Sequence, residues 1–300
     1  MAHGATLLID GSSLAYRAYH AIPVITAPDG VTETNAVHGF LNFLARLIPD
    51  RRPSRLHIAL DADWRPQFRV DALPTYKAHR VAGPDDPADP VEPQIALIIE
   101  VLEAFGISTA RSEGFEAEDV IASIAKRADG PVEVVTGDRD LFALVRYAHV
   151  RVLYTLRGVS ELASVDQAWV SAKYGIPGDR YMDYAILRGD PSDGLPGVAG
   201  IGEKTASELL RKYGSLDGVL TAKDLSPTIS AKLHRGAEYL VGARTVVALA
   251  EDCPVEGGTG AIPAAPADEA RLRTLQERLG LAGPVDRLRG ATRLACATPT

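Results

Sequence analysis

The segment Thr6-Leu-Leu-Ile-Asp10 is the part of this sequence that decides its fold. An uncharged, strand-forming run ends at an aspartate, which is typical of a strand buried on both faces of a sheet. The pattern recurs in Leu56-His-Ile-Ala-Leu-Asp61 and in Val132-Glu-Val-Val-Thr-Gly-Asp138, and residues 150–155 form a fourth predicted strand. Helical patterns separate the runs, so the sequence predicts an α/β fold with a mostly parallel central sheet flanked by helices.

Apolar residues at helical spacing predict helices at residues 34–48, 91–105, 116–128, 166–174, 179–187, 203–213, 228–250 and 268–279. Pro49 is expected to end the first helix, and no further strand is predicted after residue 165. The sequence therefore predicts an α/β domain over residues 1–165 and a helical domain over 166–290. A linker rich in Gly, Pro and Ala lies within the helical domain, and residues 291–300 are expected to form a loose tail.

Between residues 64 and 91 five prolines interrupt the pattern. The first part of this segment is basic, with Arg65, Arg69, Lys77 and Arg80 against Asp71 alone. A loop of this length inside a compact domain is either functional or disordered.

Composition excludes several classes of protein. The chain has 300 residues, 46% of them apolar and 24% charged, which is ordinary for a globular protein and excludes a disordered chain. Its two cysteines form no CxxC motif, so neither a disulfide framework nor a cysteine-based zinc site is expected. The short apolar run near the start has no basic region before it, so a signal peptide is not expected. No segment is long enough to span a bilayer. These features predict a cytoplasmic protein with no membrane partner.

Acidic residues follow the predicted strands at equivalent places. One aspartate after a strand is ordinarily a turn residue or a helix cap, and acids in a first helical turn complement the helix dipole. Three strand-end aspartates are harder to explain in this way, because the carboxyl ends of parallel strands are where ligands bind. Nine acids fit this edge or the turns beside it: Asp10, Asp61, Glu116, Glu118, Asp119, Asp138, Asp140, Asp190 and Asp193.

If these nine carboxylates converge, their mutual repulsion requires bound cations. Oxygen donors favour Mg²⁺ or Mn²⁺, since softer metals prefer His and Cys. Two such ions suit in-line displacement at phosphorus. Because each acid carries one negative charge, setting the nine aside changes the formal charge from −7 to +2. The acidic total therefore does not exclude a DNA partner.

A glycine-rich connection, residues 195–206, joins two predicted helices. Gly200 and Gly202 let the backbone approach a ligand closely, and Lys204 and Thr205 open the next helix, whose amides can point at a phosphate. This is the sequence form of a helix–hairpin–helix, which holds the DNA backbone without reading bases. A plain glycine-rich helix connection remains the alternative.

Six motifs resemble, in order, those of the 5′–3′ exonuclease domain of bacterial DNA polymerase I and the wider flap endonuclease family. They are Leu8-Ile-Asp10-Gly-Ser-Ser-Leu-Ala-Tyr-Arg17, Leu60-Asp61-Ala, Glu116-Ala-Glu118-Asp119, Thr136-Gly-Asp138-Arg-Asp140-Leu, Gly189-Asp190-Pro-Ser-Asp193 and Gly200-Ile-Gly-Glu-Lys-Thr-Ala206. The similarity covers residues 7–220 and continues more weakly to 288. No polymerase domain follows, so the chain looks like a stand-alone nuclease of that family.

The resemblance implies two or more Mg²⁺ or Mn²⁺ ions. The first metal would be held by Asp10, Asp61, Glu116, Glu118 and Asp119, and the second by Asp138, Asp140, Asp190 and Asp193. The residues expected to act most directly in catalysis are Asp10, Asp61, Asp119, Asp138, Lys77 and Arg80. Two positions depart from the family pattern: Glu118 stands where Asp is usual, and Gly194 where Asn is usual.

The resemblance also implies how DNA is bound. Tyr76, Lys77 and Arg80 match the base of a helical arch, residues 64–91, through which a single-stranded 5′ end passes, and Arg17 and Arg69 match basic positions near the cleaved phosphate. The expected activity is flap endonuclease and 5′–3′ exonuclease, acting on 5′ flaps and on branched or nicked duplexes in replication and repair. Further expectations are a monovalent cation at the hairpin, DNA polymerase or ligase as partners, a monomeric state and a location at the bacterial nucleoid.

Two other functions are alternatives. Asp61-Ala-Asp63 resembles the paired aspartates of haloacid dehalogenase-type phosphatases, but Arg65 stands where Thr or Val is usual. That interpretation also leaves the hairpin motif unexplained. A DNA-binding module that has lost catalysis is the other alternative, and its sign would be missing ligands, whereas all nine acids are present.

Overall fold

The computed structural model describes residues 4–83 and 87–297, so residues 84–86 of the predicted arch and 298–300 of the predicted tail lie outside the described residues. Strands are found at β1 (Thr6–Asp10), β2 (Arg55–Ala59), β3 (Thr109–Arg111), β4 (Val132–Thr136), β5 (Val150–Arg157), β6 (Glu161–Val165) and β7 (Glu256–Gly257). They form one sheet in the order β6-β5-β4-β1-β2-β3-β7. The five inner strands are parallel, whereas β6 and β7 join the two edges antiparallel. This confirms the predicted α/β class.

Helices cover both faces of the sheet and form a separate helical region. They are α1 (Gly11–Ala21), α2 (Asn35–Arg51), α3 (Gln67–Ala72), α4 (Glu92–Phe105), α5 (Ala117–Arg127), α6 (Gln167–Tyr174), α7 (Tyr181–Arg188), α8 (Glu203–Tyr213), α9 (Leu216–Thr221), α10 (Pro227–Arg235), α11 (Ala237–Val247), α12 (Glu269–Leu279) and α13 (Ala282–Ala297). None of the helices in the described ranges has both the length and the apolar character needed to cross a membrane.

The pleat of β1 divides the core into two apolar layers. Leu7 and Ile9 pack with α1, α2 and α4 on one face of the sheet, whereas Leu8 packs with α5 on the other. All three side chains are 0% exposed. Because β1 is buried on both faces, an uninterrupted apolar run is required there, and the chain leaves this layer at Asp10.

Two predicted helix boundaries are wrong. α2 continues through Pro49 to Arg51 and ends at Arg52, which adopts a left-handed φ of 48°. The ring of Pro49 fixes a φ close to the helical value, so in the last turn it removes only one hydrogen bond. The predicted helix over residues 228–250 is two helices, α10 and α11, which meet at Gly236.

The C-terminal part of the chain, from β7 to α13, packs on the α/β domain. The prediction had placed residues 166–290 in the helical domain. β7 pairs with β3, α12 packs on α4, and α13 packs on α2. Val285 and Leu288 of α13 are 0% exposed, and Arg289 donates to Glu269 on α12 at 2.7 Å. The predicted loose tail is therefore wrong for its described part, residues 291–297, which belongs to α13.

Candidate active site

The carboxyl edge of the sheet begins at Asp10, the last residue of β1. Its carboxylate accepts hydrogen bonds from the backbone N–H of Ser13 at 3.0 Å and from the hydroxyl of Thr136 at 2.6 Å. Asp10 is only 6% exposed. Burial raises the pKa of Asp10 to about 7, and the negative charges of Asp138 and Asp61 act in the same direction. Asp10 therefore caps α1. It also places a carboxylate at the edge whose ionised form is disfavoured by burial.

Asp61 follows β2 and links that strand to α5. Its carboxylate accepts the backbone N–H of Ala117, the first residue of α5, at 2.7 Å. Its own N–H donates to the hydroxyl of Ser12 at 3.2 Å. Asp61 is exposed. Desolvation by the surrounding protein nevertheless raises the pKa of Asp61, with Glu116 adding to the effect. The ends of β1 and β2 thus meet at one place.

The start of α5 brings three carboxylates together. Oxygen atoms of Glu116, Glu118 and Asp119 lie within 4.8 Å of one another. Glu116 and Asp119 also form a capping box, each accepting from the other's backbone N–H. Burial raises the pKa of Glu118 and of Asp119. The predicted helix-dipole role and the predicted ligand role therefore fall on the same groups.

Arg69 is the internal counter-charge of these acids. The Nη2 atom lies 2.8 Å from an oxygen of Asp119 and 2.9 Å from one of Glu118, and Nη1 pairs with Glu116. The Nε–H donates to the carbonyl of Val246, at the end of α11, at 3.1 Å. Its side chain is 0% exposed. The guanidinium is thus turned away from solvent in this structure, and the DNA contact of Arg69 stays a prediction.

Glu118, which stands where Asp is usual in the family pattern, has its carboxylate 2.9 Å from Nη2 of Arg69.

The third strand end continues into a tight turn. The N–H of Asp138 donates to the hydroxyl of Thr136 at 2.8 Å, and the N–H of Asp140 donates to the carboxylate of Asp138 at 2.9 Å. Burial raises the pKa of Asp140 well above its ordinary value, and the charges of Asp138, Asp193 and Asp190 add to the rise. This electrostatic interaction indicates that the acids after α7 lie at the same edge as the acids after β4.

Asp190 and Asp193 occupy a short 3₁₀ turn, Pro191–Asp193, beyond α7. Asp190 accepts the N–H of Ser192 at 3.0 Å and is paired with Arg188 at 3.2 Å. Asp193 is 7% exposed, and burial raises its pKa. Asp190 therefore acts as a turn residue, and Asp190 and Asp193 also lie close enough to Asp140 to raise its pKa.

Gly194 has a structural reason for replacing the usual asparagine. Its φ is +72°, and a Cβ there would lie 2.1 Å from the carbonyl oxygen of Thr75. The backbone of the arch base rests on it, and the N–H of Lys77 donates to the carbonyl of Asp193 at 3.0 Å. Glycine at this position therefore fixes the distance between the arch and the acids.

The base of the arch closes over the carboxylates. Tyr76 is 2% exposed and donates its hydroxyl to Glu116 at 2.6 Å, and its DNA contact likewise stays a prediction. The ammonium of Lys77 pairs with Glu116 and is nearly buried. Burial raises the pKa of Asp61 and of Asp140, and the positive charge of Lys77 offsets a small part of each rise. Lys77 therefore stands between the two predicted ligand groups.

Arg80 and Arg17 lie at the margin of the same edge. The guanidinium of Arg80 bonds the carboxylate of Asp193 at 2.6 Å and the carbonyl of Ser192 at 2.5 Å, with its side chain 43% exposed. Arg17, half-buried on α1, donates to the carbonyl of Gly137 at 3.4 Å. Both guanidinium groups therefore sit where the sequence predicted positive charge near the acids.

Sequence reasoning missed two supporting residues. Thr136 connects Asp10 to Asp138 by donating to the first and accepting from the second. Arg188 pairs with Asp190 and, at 3.4 Å, with Glu203 at the start of α8. Thr136 carries a usable signal, because a polar residue ends an apolar strand before Gly-Asp. Arg188 carries none, since arginines in a last helical turn are common.

The hairpin lies beyond these acids, between α7 and α8. Gly200 has a φ of +80°, and a Cβ there would meet the side chain of Lys232 at 3.0 Å. Gly202 caps α8 with an extended backbone, and a Cβ there would enter open space. Lys204 is exposed and Thr205 half-buried in the first turn of α8. The residues that open α8 are thus exposed beside a glycine with open space around it, which is compatible with an anion at this helix start.

The donor set fits divalent cations of the Mg²⁺ or Mn²⁺ class. Every predicted ligand is a carboxylate, and oxygen donors of this kind suit hard ions. Arg69 and Lys77 offset two of the three negative charges of the α5 acids, and Arg188 and Arg80 pair with Asp190 and Asp193. No cation pairs with Asp10, Asp138 or Asp140 in the described ranges, and the pKa of Asp10 and of Asp140 is raised by burial and by neighbouring negative charge. Added positive charge would relieve that repulsion.

Family models and similar proteins of known sequence point to the same family. The model of the 5′–3′ exonuclease N-terminal resolvase-like domain matches residues 5–175, and that of the C-terminal SAM fold matches 176–270. A 5′–3′ exonuclease of Streptomyces coelicolor is 48% identical over 94% of this chain and 98% of its own length. DNA polymerase I of Mycobacterium bovis is 39% identical over 94% of this chain but 31% of its own length.

A solved structure shares the fold. The T5 D15 protein co-crystallised with metal ions has a TM-score of 0.64 at 16% identity, covering 97% of this chain and 98% of that one. The two family models together span the sheet, the arch base and the hairpin, and the relative from Streptomyces matches nearly end to end. The chain therefore belongs to the 5′–3′ exonuclease family.

Proposed function

We propose that this protein is a divalent-metal-dependent, structure-selective 5′ nuclease that hydrolyses DNA phosphodiesters near 5′ flap junctions. The observation that carries the proposal is the convergence at one sheet edge of Asp10, Asp61, Asp138 and Asp140 with the acids of α5. These carboxylates are electrostatically coupled, and protein cations balance only part of their charge. A polyanionic phosphodiester can approach such an edge only when cations are bound there.

The cofactor proposed is Mg²⁺ or Mn²⁺, held in two groups. Asp10, Asp61 and the α5 acids would hold one ion, and Asp138, Asp140, Asp190 and Asp193 the other. Bound there, the ions would lower the pKa of the attacking water and stabilise charge on the phosphoryl oxygens. The relative crystallised with metal ions supports the class of cofactor, and the donor chemistry described above supports the choice of hard ions.

The residues of this chain have separate tasks in that reaction. Thr136 and the N–H of Ser13 fix the carboxylate of Asp10, and the N–H of Ala117 fixes that of Asp61, so these groups need no reorganisation during hydrolysis. Lys77, placed between the two groups, would offset negative charge that develops on the phosphate. Arg80, more exposed and bound to Asp193, would attract and orient the phosphate.

The hairpin supplies the second DNA contact in this proposal. Its glycines expose the N-terminal amides of α8 and thereby favour a phosphate of the duplex, without selecting bases. A monovalent cation at the hairpin, association with DNA polymerase or ligase, a monomeric state and a cytoplasmic, nucleoid-associated location complete the proposal. The match to DNA polymerase I supports the role in replication and repair.

The phosphatase alternative is not favoured by the geometry. The carboxylate of Asp63, which would be its second catalytic acid, accepts the backbone N–H of Arg65 at 3.0 Å as a turn residue. The proposed function is tested by incubating the protein with a 5′-labelled flap duplex in Mg²⁺, in Ca²⁺ and in EDTA. Cleavage within a few nucleotides of the junction in Mg²⁺ alone is expected. Equal cleavage in EDTA, or none in Mg²⁺ and Mn²⁺, would refute it.

A further inference from the structure

The indole ring of Trp64 lies beside the acidic edge and is partly exposed to solvent. The side chain is 43% exposed, although it lies only three residues after Asp61. Its carbonyl oxygen lies 3.5 Å from the Nζ atom of Lys77. Among the residues that the structure describes, no hydrogen bond and no ring contact involves the indole of Trp64. The exposed part of the ring is therefore available to a ligand at this edge.

The backbone on both sides of Trp64 is fixed. The N–H of Asp63 donates to the carbonyl of Phe115 at 3.2 Å, directly before Glu116. The guanidinium of Arg65 donates to the carbonyls of Tyr76 at 2.6 Å and of Pro74 at 2.9 Å. The backbone that carries the ring is thus a fixed turn between Asp61 and the base of the arch, so little backbone entropy is lost when a ligand binds there.

We propose that Trp64 stacks on a nucleobase of the strand that is cut, in its single-stranded part next to the cleaved phosphodiester. Every base has a π-face, so such a platform holds single strands without sequence preference. Stacking at a fixed distance from the carboxylates would select which phosphodiester reaches them. Trp64 is then a positioning residue, and the inference rests on the proposed nuclease function.

The chain offers a direct optical test, because it contains two tryptophans. Trp169 is partly buried, packs against Phe142 at 5.5 Å between ring centroids and lies under Lys173. In the Trp169→Phe protein Trp64 is the sole tryptophan. Its fluorescence should be quenched by a 5′-flap duplex in Ca²⁺, and much less by a blunt duplex at equal occupancy. Unchanged fluorescence at saturating flap DNA would overturn the proposal, even if substitutions of Trp64 proved poorly folded.

A kinetic test locates the base. Trp64→Leu should reduce single-turnover kcat/KM on the flap by about 5- to 150-fold, the factor expected for one base–aromatic stack. Trp64→Phe, which keeps an aromatic face, should recover most of the loss, and Trp169→Phe serves as the matched control. An abasic nucleotide at the stacked position should slow the unchanged protein and abolish the difference between it and Trp64→Leu.

Two kinetic results would also overturn the proposal. The first is no loss of rate in Trp64→Leu, and the second is an equal loss on every substrate of an abasic scan, which would mean that the ring only supports the fold. Cleavage of the unmodified flap by the unchanged protein is read in the same experiment. A failure of the proposed function would appear there, and it is thereby distinguished from a failure of the stacking proposal.

Discussion

Replacing Arg69 by methionine is the perturbation that best separates the two roles available to this residue. The guanidinium is 0% exposed and pairs with Glu116, Glu118 and Asp119. Removing one partner of a buried ion pair leaves uncompensated charge and costs roughly 3–5 kcal/mol of unfolding free energy. For chains of 150–250 residues, a change of 1 kcal/mol lowers Tm by about 2–4 °C. A loss of roughly 6–20 °C is therefore expected for Arg69→Met near pH 8.

The loss should shrink in acid, and the sign follows from the carboxylates. Burial raises the pKa of Glu118 and of Asp119 even in the presence of Arg69, whose charge opposes the rise. Without Arg69 their ionised forms become still less favourable in the folded state. The folded state then takes up protons as the pH falls, so the difference from the unchanged protein is largest where these groups are ionised and decreases toward about pH 5.

The assay is thermal unfolding of metal-free protein at the two pH values, with Arg46→Met as the matched control. Arg46 pairs with Asp50 on the surface, with side chains 53% and 59% exposed, and its loss should cost less than about 1 kcal/mol. Arg69→Lys should recover part of the stability, since it keeps the charge but loses the planar fork. Unfolding curves of Arg69→Met that match those of the control, together with weaker DNA binding, would refute the reasoning and return Arg69 to the DNA interface.

Three further outcomes are expected. Lys77→Ala should slow single-turnover cleavage by about 10- to 1,000-fold and weaken flap binding in Ca²⁺ only a few-fold, with partial recovery in Lys77→Arg; an affinity loss as large as the rate loss would make Lys77 a simple DNA contact. Gly202→Ala should weaken duplex binding on all sequences without lowering Tm, because its Cβ would enter open space, and an unchanged Kd at matched salt would count against the hairpin contact. Because the pKa of Asp10 is raised to about 7, this group's contribution to the stability of the metal-free protein is present in acid and lost as the pH rises through that value. Mg²⁺ or Ca²⁺ should therefore raise Tm more near pH 8 than near pH 5, and equal stabilisation at both would contradict the assignment.

The sequence predicted the parallel sheet and its acidic edge because both depend on local pattern. An apolar run such as that of β1 specifies a strand, and an aspartate at its end can lie only at the carboxyl edge. Short strands escape this logic, since β3 has three residues and β7 two, and β7 exists only because its backbone pairs with β3. The return of the C-terminus was missed for a similar reason: α13 contains Gly283, Pro284 and Gly290, and its helix is stabilised by packing on α2.

The direction in which side chains point was the other feature that could not be predicted from the sequence. The spacing of residues in α3 does not tell whether Arg69 faces DNA or the interior. The answer depends on the carbonyl of Val246, which is 177 residues away in sequence. Tyr76 turned inward for the same reason, since Glu116 offers its hydroxyl a buried acceptor. The acids of the edge were predictable as a group, but their division into a part balanced by Arg69 and Lys77 and a part without such partners required the structure.

The most direct test of the central claim is single-turnover cleavage of a labelled 5′ flap by Asp138→Asn/Asp140→Asn in Mg²⁺, measured beside its flap affinity in Ca²⁺. The two residues belong to the part of the edge that protein cations leave unbalanced, and the hairpin is untouched by the change. The account predicts that cleavage is abolished while affinity is kept or increased, because two negative charges leave a surface that faces phosphates. Cleavage by the double variant at a rate near that of the unchanged protein would show that these carboxylates only shape a turn, and it would contradict the account.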